Sequence, residues 1–174
     1  KGKEHGGRGE KGDSGRAWIE LDRQALRQNV DALRKMLPES CQLMPAVKAD
    51  AYGHGAMLIA KELSGMGVRA FCVACAKEGA ELRQQGIKGE ILILGYTHPD
   101  QFPLLSRYQL TQTVVDFSYA ELLNNYGKRK HRKIPVHVGI DTGMHRLGER
   151  GENIDRICEI CFMKHLAVKG LYTH

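Results

Sequence analysis

Ala46-Val47-Lys48-Ala49-Asp50-Ala51-Tyr52-Gly53-His54-Gly55 sets a lysine at the end of an apolar run that flows into a glycine-punctuated turn. A lysine so placed is a candidate Schiff-base nucleophile as well as a candidate surface charge. Further along, Ile134-Pro135-Val136-His137-Val138-Gly139-Ile140-Asp141 repeats the layout, an extended segment leading into Thr142-Gly143-Met144-His145-Arg146-Leu147-Gly148. Two polar, glycine-rich loops each follow a predicted strand.

Outward from these stretches the pattern alternates. A short extended segment is expected over 16–21, and Asp22 then caps a helix with Leu26, Val30, Leu33 and Leu37 on one face, ended by Pro38. Strands are predicted over 43–48, 70–76, 90–95, 110–115, 134–140 and 166–172. Helices fall between them at 56–66, 77–85, 101–108 and 153–162, with Gly86 as a C-terminal cap and one further helix opened by Ser118 with Glu121 at capping-box spacing. Strand-then-helix units imply parallel strands joined by right-handed crossovers, in a doubly wound open sheet or a (β/α)8 barrel. A barrel gathers its chemistry in the loops at the C-terminal ends of its strands. Lys48, Tyr52, Asp141, Arg146 and His174 all follow strands, which selects the barrel. Six strands would be about three quarters of it.

Composition bounds the rest. The chain has 174 residues, 42% of them hydrophobic and 26% charged, enough for one domain with a substantial core. No apolar stretch reaches the roughly 20 residues that cross a bilayer, and no signal peptide is evident. Residues 1–15 hold six glycines and no large apolar side chain, and read as a flexible linker or tail. The net charge of +6 concentrates in that tail and in Lys128-Arg129-Lys130-His131-Arg132-Lys133. No aromatic residue interleaves the run, so it reads as a solvated connection rather than a nucleic-acid site. Cys72 and Cys75 would point to opposite faces of a strand, and Cys158 and Cys161 on a helix read as small hydrophobes, so no metal site is expected. An odd cysteine count suits a reducing, cytoplasmic setting. Neither GxGxxG nor GxxxxGK[ST] occurs.

The lysine stretch, Asp141-Thr142-Gly143-Met144-His145-Arg146-Leu147-Gly148 and the closing Tyr172-Thr173-His174 strongly resemble the alanine racemase family over residues 17–174. The resemblance implies an enzyme dependent on pyridoxal 5'-phosphate, with residues 16–174 as the N-terminal part of its (β/α)8 barrel. The rest of the barrel and a C-terminal β-domain would lie outside the chain. It implies Lys48 as the catalytic residue that holds the cofactor covalently and moves the substrate Cα proton on one face. Tyr52 would bind the cofactor phosphate, Arg146 the cofactor phenolic oxygen and the substrate carboxylate, and His174 the network that orients the ring. The second base would be a tyrosine from the partner subunit of a homodimer. Where many members carry a lysine two residues before the DTG aspartate, this chain has Gly139. Asp141 is read as an Asx turn organising its loop, and His54 and His145 as loop residues.

The implied reaction interconverts the L and D forms of a small amino acid, alanine or serine, and supplies peptidoglycan precursors. Within the family the chain is similar to the racemase portion of membrane-bound serine/alanine racemases associated with vancomycin resistance. That would place a membrane domain ahead of it, tethering it to the cytoplasmic face. A decarboxylase on the same barrel and a pyridoxal-phosphate-binding homeostasis protein stay open as alternatives.

Overall fold

The computed structural model describes residues 18–174. The tail over 1–15 and the first two residues of the extended segment lie outside the described residues. Residues 18–22 carry no regular structure, so no strand is found in the described part of that segment. Helix α1 (Arg23–Met36) opens where expected: the Asp22 carboxylate accepts from the backbone N–H groups of Gln24 (2.7 Å) and Ala25 (3.0 Å). Of its predicted apolar face only Val30 is buried, while Leu33 stays 51% exposed.

The body is a parallel sheet of β1 (Ala70–Val73), β2 (Glu90–Ile93), β3 (Thr111–Val114), β4 (Ile134–Asp141) and β6 (Leu166–Thr173), each paired with the next. Between them run α3 (Ala56–Gly65), which precedes β1, then α4 (Ala76–Gln84), α5 (Phe102–Arg107), α6 (Phe117–Arg129) and α7 (Ile154–Phe162). A two-residue strand, β5 (Glu149–Arg150), extends the sheet beside the last two residues of β4 and was not foreseen. It is too short to carry a period. The strand expected over 43–48 shrinks to a single bridge, Ala46 to Cys72, with Val47 N–H donating to the Cys72 carbonyl (2.8 Å). The chain leaves the sheet at Lys48 because the next residues coil the other way. Asp116, not Ser118, caps α6, its carboxylate accepting from Tyr119 N–H (2.7 Å).

The strands alternate faces with period two. Phe71, Val73, Ile91, Ile93, Val114, Val136 and Val138 join the buried core beneath the helices. The other parity, Cys72, Glu90, Leu92, Thr113, His137 and Gly139, lines the concave side, where Glu90 and His137 meet at 3.2 Å across the intervening strand. Burial, reinforced by Glu90, pushes the Cys72 thiol up to about 11. At the N-terminal end of the strands, the Arg83 guanidinium donates to the carbonyls of Tyr108, Ile87, Gly89 and Gln109, locking three elements together. Chain direction, parallel pairing and core placement are those of a (β/α)8 barrel represented in part.

Candidate active site

Lys48 opens α2 (Lys48–Tyr52), a single turn in which Ala49, Asp50, Ala51 and Tyr52 have φ between 49° and 56°. This is left-handed coil, which costs an L-residue about 1–2 kcal/mol. Surrounding contacts impose it. The Glu78 carboxylate on α4 accepts from Ala49 N–H (2.9 Å) and, through its other oxygen, from Ala74 N–H (2.6 Å) at the end of β1. Asp50 accepts from Ala56 N–H (2.7 Å) and so caps α3. Ala51 N–H returns to the Val47 carbonyl (3.0 Å), and Gly53 takes the left-handed exit at φ 87°. The turn rolls the backbone over the sheet end and keeps Lys48 half-buried at its edge.

The second loop is organised by Asp141, as an Asx turn would require. Its carboxylate accepts from Gly143 N–H (3.0 Å) and His145 N–H (3.0 Å), and its other oxygen faces His145 Nδ1 at 3.1 Å. The two amide donors hold this carboxyl below the usual range. Gly148 returns the chain at φ 118°, where a Cβ would lie 2.8 Å from Asp141 N, so only glycine lets the loop close onto β4. Gly139 is tight as well: a Cβ there would sit 3.2 Å from the Val114 carbonyl oxygen and 3.5 Å from Gly148 Cα.

These loops converge on a cavity at the C-terminal end of the strands. Lys48, Arg146 and His174 line it together with Thr113, Gly139 and Tyr172. The cavity is small, about 70 Å3, and its lining residues Arg146 and His174 are exposed. Tyr52 is not in the lining. It is 62% exposed, with Lys48 Nζ 6.0 Å from its ring centroid. Tyr172, part of the closing motif, is a lining residue to which the resemblance assigns no role. Its hydroxyl lies 3.1 Å from Thr113 Oγ1, and burial pushes it up, partly offset by that hydrogen bond. Tyr172 lies near the end of β6, and Thr173 and His174 after it also line the cavity, so strand alternation does not single it out. Glu78 left no trace in the sequence, because it acts on backbone amides remote in the chain.

The cavity presents an amine, a guanidinium, hydroxyls and an imidazole. Asp141 is its one carboxylate, and that group is committed to its own loop. Lys48 forms no ion pair among the described residues. Such a donor set suits an anionic ligand bearing a carbonyl that an amine can attack. No helix of the described residues is long and apolar enough to cross a membrane.

Comparison with known proteins agrees with this arrangement. The family described as alanine racemase, N-terminal domain, matches residues 21–174. An amino-acid racemase of Enterococcus faecalis is 44% identical over 162 residues, covering 93% of this chain and 22% of the relative. Alanine racemase 1 of Caldanaerobacter subterraneus subsp. tengcongensis is 38% identical over 158 residues, 90% of this chain and 41% of the relative. The solved alanine racemase of Clostridium difficile 630 superposes with a TM-score of 0.81 at 37% identity, over 87% of this chain and 40% of that one. The chain thus spans about a fifth to two fifths of the length of the relatives it matches.

Proposed function

The chain belongs to the alanine racemase N-terminal domain family, and on that premise we propose that the protein containing it is a pyridoxal-phosphate-dependent racemase acting on alanine or serine. The observation that carries the reading is the convergence of Lys48, Arg146 and His174 on one cavity at the strand ends. The lining fits the cofactor: a primary amine for its aldehyde, and cationic and hydroxyl donors for its oxygens, with no free carboxylate to repel it. When bound, that group supplies an electron sink for the bond between the substrate Cα and its hydrogen.

The residues of the chain do the remainder. Lys48 Nζ would hold the cofactor and would take or return the Cα proton on its own face. Arg146, planar and permanently charged, would bind the substrate carboxylate and so orient the substrate toward Lys48. Tyr172, Thr113 and His174 would hold the cofactor from the cavity wall, and Tyr52, beside the cavity, would bind its phosphate. Inversion needs a second base on the far face. We assign it to a tyrosine of the partner subunit in a homodimer, outside this chain. Alanine and serine differ by one hydroxyl, which a merely tolerant pocket discriminates weakly.

For the whole protein we also assign residues 1–15 as a linker and 16–174 as the N-terminal part of the barrel. A membrane domain ahead of it, the cytoplasmic side and the supply of D-amino acids to peptidoglycan belong to the same reading. Its support is the Enterococcus faecalis relative, several times longer than this chain.

The test loads the full-length protein with pyridoxal phosphate, reduces it with borohydride and maps the labelled peptide. Label on Lys48, lost in Lys48→Ala, together with conversion of L- to D-alanine or serine, is the expected result. Label on another lysine, or none in the folded protein, overturns the reading.

A further inference from the structure

All paired strands are parallel, so their first residues share one end of the sheet, and the returning helices finish there too. The loops at that end are residues 37–43, 66–69, 85–89, 108–110, 130–133 and 163–165. They carry six Lys and Arg, namely Arg69, Lys88, Lys130, Arg132, Lys133 and Lys164, against one acid, Glu39. All six are exposed, and none is in an ion pair among the described residues. The last turns of α1, α5 and α6 add five further cations. The loops are knit into one surface: Arg83 ties 87–89 to 108–109, Glu90 N–H donates to the Arg69 carbonyl, and Ile134 N–H donates to the His165 carbonyl.

A second feature shares this end. Phe162, 87% exposed, and Met36, 80% exposed, are the two most exposed large apolar side chains among the described residues, and each sits at the final residue of a helix that ends here. Their helices flank opposite ends of the sheet order: α1 packs by the Lys48 segment and α7 by β6, with the cationic loops between.

We propose that this end of the barrel is a docking face for an anionic phospholipid surface, with the cavity at Lys48 directed away from it. Cations in a broad array satisfy lipid phosphates and carboxylates, and apolar side chains at the margins enter the headgroup region. The spread favours a flat, extended partner over a nucleic-acid strand. Aromatic side chains at this end are confined to Phe162 at its margin, half-buried Tyr108 and the imidazoles of His131 and His165, with no continuous track for stacking bases.

The test is amine-reactive footprinting of the whole protein that contains this chain. It is run with vesicles of phosphatidylcholine alone or with added phosphatidylserine, and with double-stranded DNA or RNA at equal phosphate. Labelling of Lys88, Lys130, Lys133 and Lys164 should fall by about threefold or more on phosphatidylserine vesicles at low salt and recover as salt screens the surface. Lys77, at the other end of the sheet, should not respond. Lys130→Glu with Lys133→Glu should restore labelling of Lys88 and Lys164 on the vesicles. Protection by phosphatidylcholine alone, protection by nucleic acid but not by phosphatidylserine, or no protection would each overturn the proposal. Borohydride labelling at Lys48 is independent of all these outcomes.

Discussion

The two ends of the parallel sheet are built from the same chain to opposite specifications. The loops at the C-terminal ends of the strands, residues 47–55, 74–75, 94–101, 115–116 and 141–153, carry six Asp and Glu against three Lys and Arg. The opposite loops reverse the balance. At the first end polar groups are spent on holding loops in costly shapes: Glu78 and Asp50 on the left-handed turn, Asp141 on its own amides. At the second, Arg83 spends its donors on tying turns together, one of them carrying Gln109 at φ 50°. The first end holds four consecutive left-handed residues beside Lys48, where the second has the isolated Gln109 and His131 (φ 51°). The second joins elements and leaves its cations free.

The comparison makes its largest demand at Lys48. Lys48→Ala should lower racemisation by about 1000-fold or more while leaving the thermal midpoint within about a degree, because the half-buried amine makes no ion pair among the described residues. A large loss of stability would show that the amine serves the fold. Arg83→Met is the converse. It orphans four carbonyls and should cost about 3 kcal/mol in denaturant unfolding, with kcat per folded molecule unchanged. A matching fall in kcat would erase the division between the ends.

Glu78→Ala lies on the border. Two amide donors lose their acceptor, costing about 1–2 kcal/mol, and Lys48 loses the clamp on its neighbour, so kcat should fall about tenfold with KM little changed. A stability loss without a kcat change would make Glu78 a strut and not a positioning residue. The smallest effect is a pH response. Because the Asp141 carboxyl is held below its usual range by amide donors, its loop contributes order that is full above the ordinary carboxylate range and fades as pH falls through the lowered value. The amide resonances of Gly143 and His145 should shift together in that acid window, and Asp141→Asn should abolish the titration. Separate midpoints for the two would break the assignment.

Much of the barrel could be read from periodicity, because β1 to β4, β6 and their helices obey simple alternation and end on glycine, proline or acidic caps. What escaped reading was non-local or too short. β5 has two residues and exists only where Gly139 and Gly148 let backbones approach. The segment over 43–48 is apolar enough for a strand, yet a strand is also a set of pairing partners, and among the described residues it has Cys72 alone. Within the site, Lys48, Arg146 and His174 were found through motifs that the resemblance supplied. Tyr172 stands in the closing motif with nothing in the neighbouring sequence to mark its role, and Glu78 leaves no signal, since an acceptor for remote amides leaves no pattern in its own neighbourhood. Tyr52, expected at the cofactor phosphate, stands outside the cavity lining and is 62% exposed.

That reversed turn has a stereochemical corollary. Ala49 at φ 49°, ψ 50° and Ala51 at φ 52°, ψ 46° occupy the mirror image of ordinary helical geometry, the conformation that a residue of the opposite configuration prefers. A semisynthetic chain with D-alanine at either position would place its methyl group without the clash that the natural residue accepts. In a protein proposed to exchange the mirror forms of alanine or serine, the backbone beside Lys48 is itself shaped for the enantiomer that the ribosome does not supply.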